Sequence, residues 1–93
     1  MVVALIFYYQ NGNMSSEKNL VEKIMDIILG TRLKELREER GLTQKELSKQ
    51  LNLNSVTYLH YEKEQREPPL SLLADIANFY QVTIDYLLGL SDY

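Results

Sequence analysis

Side chains able to do chemistry are few in this sequence, and their spacing does not form a reactive site. The chain has no cysteine and a single histidine, His60, whereas zinc sites and most catalytic sites bring several His, Cys or carboxylate groups to one point. The carboxylates of the amino-terminal half recur at the spacing of solvated helix faces: Glu17, Glu22, Asp26, Glu35, Glu38 and Glu39. The sequence therefore predicts a protein that is not an enzyme and that binds no metal or cofactor.

Size and composition restrict the chain to one small folded domain with a short extension. Of its 93 residues, 45% are hydrophobic and 25% are charged, which is typical of globular rather than disordered chains. Without cysteine the domain depends on its apolar core, and the lack of disulfides favours a reducing, cytoplasmic location. We expect no membrane association, because no segment has the pattern of a membrane span or a secretory signal.

The charge is unevenly distributed along the chain. The net charge of −3 opposes unspecific coating of nucleic acid, which favours basic proteins. Residues 30–70 carry eight Lys or Arg against seven Asp or Glu, whereas residues 71–93 carry three acidic residues and no basic one. Any surface for an anionic partner is therefore expected in the middle of the chain.

An apolar run occupies residues 2–9 and is followed by a turn-like Gln-Asn-Gly-Asn sequence. Its β-branched and aromatic residues are typical of a strand, which could pair with a copy of itself or with a partner protein. A disordered leader is the alternative, since Met14 could itself begin a protein. Both interpretations stay open at this point.

The helical pattern begins after this leader, with a helix predicted over about residues 16–29. Ser15 and Ser16 are placed to cap it. Its apolar residues form one stripe at helical spacing. We expect this stripe to pack on the chain's own domain or on a second copy, through Leu20, Ile24 and Ile27.

Glycines and a cap divide the next stretch into two helices. Gly30 is expected to interrupt the first helix, and a further helix over about residues 31–40 ends at Gly41, which easily adopts a left-handed conformation. Thr43 and Glu46 then form a capping box. Another helix therefore begins at Thr43.

The connection that follows indicates a helix-turn-helix unit. The helix from Thr43 is expected to end near Leu51, and Asn54 is a good N-cap for a helix over about residues 55–63. Two helices joined by such a short turn form the unit whose second helix enters the DNA major groove. Two more helices are predicted, one after Pro68-Pro69 and a short one that ends at Gly89.

Residues 30–89 closely resemble the lambda-repressor-like DNA-binding domain, the Cro/CI or XRE family of phage and bacterial regulators. The resemblance rests on LKELREERGLTQKEL at 33–47, Tyr61-Glu62 with Arg66-Glu67-Pro68, and IDYLLG at 84–89. It implies an all-α fold, in which a five-helix domain at 30–89 follows an extension at 1–29 that holds the extra helix and the leader. Residues 90–93 are a tail, and we expect no attached ligand-binding module.

The resemblance also implies which residues face DNA. Serine and histidine can hydrogen-bond base edges, whereas valine and leucine could contact only a thymine methyl group. The base-reading positions of the family fall on Ser55, Val56, Leu59 and His60. In the family the Gln after the cap of helix two binds a phosphate, and the phosphate contacts expected here are Thr43, Gln44, Lys45, Lys49, Asn54, Lys63 and Arg66.

The family also pairs an Arg of helix one with a Glu at the end of helix three, which implies a structural ion pair between Arg37 and Glu62. Three positions depart from the family pattern. Asn52 and Glu64 stand where glycine is common, and Ser48 stands where alanine is usual. Because the Glu64 carboxylate could repel phosphate, we expect weak binding by a single domain and stronger binding by a dimer.

These features predict a sequence-specific, DNA-binding transcriptional regulator of phage, mobile-element or bacterial type. We expect a repressor that binds double-stranded DNA as a homodimer on a palindromic operator. The family commonly dimerises near helix five. The alternative is a protein-binding module such as an antitoxin, which masks a partner protein and binds DNA secondarily, as the apolar leader and the acidic carboxy-terminal third would suit.

Overall fold

Five α-helices build the fold of the residues that the structure describes. The computed structural model describes residues 19–93, and no strand forms among them. The predicted all-α class and lambda-repressor-like architecture are confirmed. The leader at 2–9 and the capping serines Ser15 and Ser16 lie outside the described residues. The helices are α1 (Leu20–Glu39), α2 (Gln44–Gln50), α3 (Ser55–Glu62), α4 (Leu70–Tyr80) and α5 (Ile84–Leu88).

One continuous helix, α1, replaces the two helices predicted on either side of Gly30. It begins after Asn19, whose side chain accepts a hydrogen bond from the Glu22 amide at 2.9 Å. Glycine costs about 1 kcal/mol in a helix interior relative to alanine, which is the reason to expect a break. Close packing requires glycine at this position, because a Cβ atom on Gly30 would lie 2.6 Å from the backbone oxygen of Glu62. The packing of α1 against α3 outweighs the cost in helix propensity. Gly30 thus allows α1 to approach the end of α3 closely, and the predicted interruption is wrong.

The chain turns from α1 into α2 where the sequence predicts. Gly41 has a φ of +67°, and the following Leu42 amide donates to the Arg37 carbonyl at 3.1 Å, which satisfies a carbonyl of the last helical turn. The capping box of α2 is also confirmed. Thr43 Oγ1 accepts from the Glu46 amide at 3.0 Å, and Glu46 Oε1 accepts from the Thr43 amide at 3.0 Å.

Each helix contributes one fully buried side chain to a single core. Full burial of a large apolar side chain stabilises a fold by about 1.5–3 kcal/mol. Helix α1 packs against α3 and α5, α2 packs against α3, and α4 packs against α5. The core therefore fixes α2 and α3 relative to the other helices. Tyr61 and Tyr80 are also buried. Among residues 19–93, the five side chains with no exposure are Leu33, Leu47, Tyr58, Ile76 and Leu87.

Arg32 holds the carboxy-terminal segment against α1. Its guanidinium donates to the carbonyls of Tyr86 and Ser91, the latter at 2.9 Å, and lies 4.1 Å from the centre of the Tyr86 ring. Gly89 ends α5 with a φ of +81° and packs against Ile28 of α1. The predicted stop at Gly89 is confirmed, and this segment fixes α5 beside α1.

The amino-terminal half of α1 divides its apolar residues between core and solvent. Val21 and Leu29 are buried, whereas Leu20 and Ile27 remain 56% and 52% exposed, and Ile24 is half-buried. The prediction that this stripe packs on its own domain is therefore wrong for Leu20 and Ile27, because the helix turns a neighbouring face inward. Packing on a second copy stays a prediction.

Candidate nucleic-acid interface

Residues 51–54 form the turn between α2 and α3, and their conformations set the direction of α3. Asn52 adopts the left-handed region with a φ of +57°. The Leu53 amide donates to the Ser48 carbonyl at 2.7 Å. Asn54 caps α3 as predicted, since its side chain accepts from the Val56 amide at 2.9 Å.

The face of α3 that the family resemblance assigns to base recognition points away from the core. Tyr58 and Tyr61 lie on the buried side. Val56 is 58% exposed, and the other three positions are half-buried. Because residues three and four apart share one side of a helix, the structure brings four predicted base-reading residues onto one face: Ser55, Val56, Leu59 and His60. Their contact with bases stays a prediction.

Exposed cations lie at both ends of this face. Lys45 and Lys49 of α2 line a groove together with Ser55, the first residue of α3. Lys63 follows the last residue of α3, and Arg66 lies in the next loop. Cations in these positions can contact the phosphates on either side of a groove that holds α3.

The three polar phosphate candidates already make contacts within the protein. Thr43 and Asn54 accept amide hydrogens through their side-chain oxygens as helix caps. Phosphate binding uses hydrogen donors instead, so capping and phosphate contact are compatible. Gln44 donates from Nε2 to Glu62 Oε1 at 3.1 Å, a bond that the sequence did not predict.

The expected ion pair between Arg37 and Glu62 is present in the structure. Arg37 Nε lies 2.7 Å from Glu62 Oε2, and a terminal guanidinium nitrogen donates to Oε1 at 3.2 Å. The other terminal nitrogen donates to the Leu42 carbonyl at 2.8 Å. The two charged side chains are only 11% and 3% exposed. Arg37 therefore joins α1, the turn before α2 and the end of α3.

The surroundings of Glu62 favour its ionised form. Burial opposes ionisation, but hydrogen bonds from Arg37 and Gln44 more than offset it, so the pKa of Glu62 lies below its ordinary value of 4.5. The Tyr58 hydroxyl lies close enough to interact with this carboxylate but outside hydrogen-bonding geometry. Burial and the nearby carboxylate both raise the pKa of Tyr58, which keeps this hydroxyl neutral.

Acid is expected to destabilise the fold through Glu62. A carboxyl whose pKa is lowered on folding contributes stability that is complete above its unfolded pKa and is lost as the pH falls through the folded pKa. Urea unfolding at a series of pH values below about 5 should show this loss, and Glu62→Gln should flatten the profile. Glu46→Gln is the matched comparison, because hydrogen bonds from Thr43 also lower the pKa of Glu46 but at an exposed site. Identical profiles for Glu62→Gln and the unaltered chain would contradict the prediction.

The three departures from the family pattern each have a structural consequence. Ser48 is buried, and its hydroxyl donates to the Gln44 carbonyl at 2.7 Å, so the extra hydroxyl is satisfied within α2. Asn52 and Glu64 have φ angles of +57° and +64°, a region that glycine adopts without strain. The Glu64 side chain also passes beside Gly30, next to the end of α3.

Glu64→Gly is expected to raise the free energy of unfolding by up to about 1.5 kcal/mol. Glycine relieves about 1–2 kcal/mol of left-handed strain against an entropic cost of about 0.5–1 kcal/mol. DNA affinity should also rise, since a negative charge beside α3 is removed. Gln81→Gly is the matched control, because Gln81 has a φ of +58° at the end of α4. It should change stability similarly and leave DNA affinity unchanged in anisotropy titrations; equal affinity changes in both variants would contradict the charge argument.

Two contacts of this region were not predicted from the sequence. The close approach at Gly30 has a signal, since a glycine inside an otherwise regular helical pattern often marks tight packing. The bond between Gln44 and Glu62 joins residues 18 apart in sequence. It has no signal of its own, because it depends on how α2 packs against α3.

Other kinds of site are absent from the part of the chain that the structure describes. Within residues 19–93, no three His, Cys, Asp or Glu side chains lie together so as to hold a metal ion. None of the helices in this range is long and apolar enough to cross a membrane.

Comparison with known proteins covers this same region. The profile of the helix-turn-helix family matches residues 33–87. The HTH-type transcriptional regulator ImmR of Bacillus subtilis is 44% identical over 61 residues, which cover 66% of this chain and 48% of ImmR. The cryptic phage CTXphi transcriptional repressor RstR of Vibrio cholerae is 34% identical over 65 residues, which cover 70% of this chain and 59% of RstR.

An uncharacterized HTH-type transcriptional regulator of Archaeoglobus fulgidus is 34% identical over 62 residues, which cover 67% of this chain and 89% of the archaeal protein. The chain spans about half the length of ImmR and of YobD, another regulator of Bacillus subtilis. The family match covers more than half of the chain and includes all of α2, α3 and α4. The predicted resemblance is confirmed, and the chain belongs to the helix-turn-helix family in its lambda-repressor-like, XRE type.

Proposed function

We propose that this chain is a DNA-binding transcription regulator that inserts α3 into the major groove. The observation that carries the proposal is the outward face of α3 with cations at both ends, Lys45 and Lys49 at its start and Lys63 and Arg66 beyond its end. Phosphate contacts fix the position of such a helix, and contacts to base edges supply the sequence specificity. The regulator and phage repressor names among the relatives support the same function, and the name of RstR favours repression.

The side chains on this face suit a mixed recognition sequence. Ser55 can donate to or accept from several base edges, and His60 can donate to the N7 or O6 of guanine. Val56, the most exposed of the four, contacts a thymine methyl group.

Selection of bound duplexes from a random DNA pool, at two salt concentrations, tests the function. Recovery of a palindrome with half-sites about one helical turn apart is the expected result. It would establish a dimeric, sequence-specific protein and identify its operator. Binding without a consensus that disappears at the higher salt would contradict the proposal, because phosphate contacts alone are unspecific and strongly salt-dependent.

The proposed dimer forms through the exposed stripe of α1. Leu20 and Ile27 lie seven residues apart, which places them two turns apart on one side of the helix, with the half-buried Ile24 between them. A second copy would remove these side chains from water. Joining two domains makes the second DNA contact intramolecular, which raises the overall affinity without any new contact to bases.

Replacing Leu20 and Ile27 together by serine is expected to convert the dimer to a monomer. Sedimentation-derived mass should halve, and operator affinity should fall by at least tenfold because the second DNA contact is no longer intramolecular, an effect of order 10²–10⁴ for linked sites. Leu70→Ser is the control, since Leu70 is 72% exposed at the start of α4, outside the stripe. A double variant with an unchanged dimer mass, or an unaltered chain that is monomeric, would contradict this interface.

A second candidate function, masking of a partner protein, is favoured by the exposure of the apolar Val56 on α3. In an antitoxin-type module this side chain would contact the partner instead of a base. Val56→Ala should then weaken binding of the partner more than binding of DNA. Loss of DNA binding with partner binding intact would exclude this alternative.

A further inference from the structure

The carboxylate of Glu62 receives donors from two other helices. Its Oε2 accepts from Arg37 Nε at 2.7 Å, and its Oε1 accepts from Arg37 at 3.2 Å and from Gln44 Nε2 at 3.1 Å. With its side chain only 3% exposed, this carboxylate has little access to water. Glu62 is thus the point where α1, the start of α2 and the end of α3 are joined by hydrogen bonds.

This arrangement fixes the orientation of the Gln44 amide. An ionised carboxylate can only accept hydrogen bonds, so the amide group that faces Glu62 must be the NH2 and not the carbonyl. The NH2 has two hydrogens, and the single bond to Glu62 Oε1 uses one of them. The second points in a direction set by the first, because the amide group is planar.

Gln44 is also the residue to which the family resemblance assigns a phosphate contact. It is the first residue of α2 and follows the cap Thr43, and the next residue, Lys45, lines a groove with Ser55 at the start of α3. A glutamine that rotates freely would have to be immobilised when the phosphate binds.

We propose that Glu62 is a positioning residue for DNA binding: it holds the Gln44 amide so that the remaining N–H is aimed at a DNA phosphate beside α2. The proposal rests on the DNA-binding function proposed above and adds a role to Glu62 beyond its ion pair with Arg37. Without Glu62, binding must order the Gln44 side chain, and ordering one such side chain weakens binding by about three- to tenfold.

A double-mutant cycle separates this role from a merely structural one. DNA affinity is measured for the full chain with Gln44→Ala, with Glu62→Gln and with both changes, on a duplex that carries the site recovered from the random pool. We expect Gln44→Ala to weaken binding about tenfold in the unaltered chain but less than about threefold beside Glu62→Gln. A purely structural Glu62 would give the same factor in both backgrounds, and that result would overturn the proposal.

Lys45→Ala supplies the matched control for the cycle. Lys45 is exposed next to Gln44, and its effect should be equal in both backgrounds because effects at independent sites add. If Gln44→Ala has no effect in the unaltered chain, the phosphate contact and the positioning role both fail. If the unaltered chain selects no DNA site, the DNA-binding function itself fails, so the failures are distinguishable.

An NMR measurement on the unaltered chain tests the proposal without any variant that has to fold. The side-chain amide of Gln44 should show one proton that is protected from exchange by its bond to Glu62. This protection should persist when the DNA duplex is bound, while the second proton shifts on contact with the phosphate. Loss of the protected proton in the complex would overturn the proposal, because Gln44 would then leave Glu62 in order to bind DNA.

Discussion

Arg37→Ala is expected to lower the free energy of unfolding by about 3–5 kcal/mol, the cost of removing one partner from a buried ion pair. The change leaves the Glu62 carboxylate buried with its charge uncompensated, at a site where the carboxyl side chain is only 3% exposed. It also removes the donor to the Leu42 carbonyl in the turn before α2. Urea unfolding monitored by circular dichroism should show the loss, and DNA binding should be lost with it because the end of α3 is no longer fixed.

Two comparisons separate the buried charge from other effects of Arg37→Ala. Lys34→Ala removes an exposed cation from the same helix, and its effect should stay within about 0.5 kcal/mol. Replacing Arg37 by methionine and Glu62 by leucine together removes both charges, so this double variant should be more stable than Arg37→Ala. A loss below about 1 kcal/mol for Arg37→Ala would contradict the assignment of a buried, structural ion pair.

Local signals in the sequence were sufficient to predict where α1 and α5 end and where α2 and α3 begin. The capping box of Thr43 and Glu46 spans three residues, and both of its hydrogen bonds are present. Gly41 and Gly89 both adopt the left-handed conformation that ends a helix. Such features depend only on neighbouring residues, so tertiary packing does not change them.

Features that depend on packing between distant segments could not be predicted in the same way. Periodicity identified the amino-terminal half of α1 as helical and apolar, but not which face turns inward. Val21 and Leu29 are buried, and Leu20 and Ile27 are exposed, because the apolar residues cover a wider arc of the helix than the domain buries. The low helix propensity of glycine likewise led to the wrong prediction of a helix break at Gly30, because the contact with α3 determines the conformation there.

The same distinction between local signals and packing of distant segments applies to the residues of the candidate site. The outward face of α3 was implied by the family resemblance, and the structure places Tyr58 and Tyr61 on the opposite, buried side. The ion pair of Arg37 with Glu62 was implied by the family resemblance, and the structure contains it. The third member of that cluster, Gln44, was assigned to phosphate alone, because the sequence carries no sign that its amide bonds to Glu62.

Gly30→Ala is expected to destabilise the protein, although alanine favours a helix by about 1 kcal/mol over glycine. The added Cβ would lie 2.6 Å from the backbone oxygen of Glu62. A flexible side chain could move away from such a contact, but a backbone oxygen at the end of α3 can move only with its helix. Overpacking costs about 1–3 kcal/mol, and we expect a net loss of about 2 kcal/mol by urea unfolding because the contact is with backbone.

Thr31→Ala is the control for this prediction, and its effect on stability should have the opposite sign. Thr31 is the next residue of α1 and is exposed, so alanine there should stabilise the helix by a few tenths of a kcal/mol, about the difference in helix propensity. The same new residue at adjacent positions should therefore act in opposite directions. If Gly30→Ala also stabilises the chain, α1 and α3 are not in close contact at this point.

The contact at Gly30 also links the stability of α1 to the DNA-binding surface. A shift of α3 away from Gly30 would carry Glu62 with it and lengthen the hydrogen bonds that this carboxylate accepts from Arg37 and Gln44. Gly30→Ala should therefore weaken DNA binding even at temperatures where the variant is fully folded, whereas Thr31→Ala should not. Anisotropy titrations at such a temperature check this, and unchanged affinity in a destabilised Gly30→Ala variant would show that α3 keeps its position while the strain is taken up within α1.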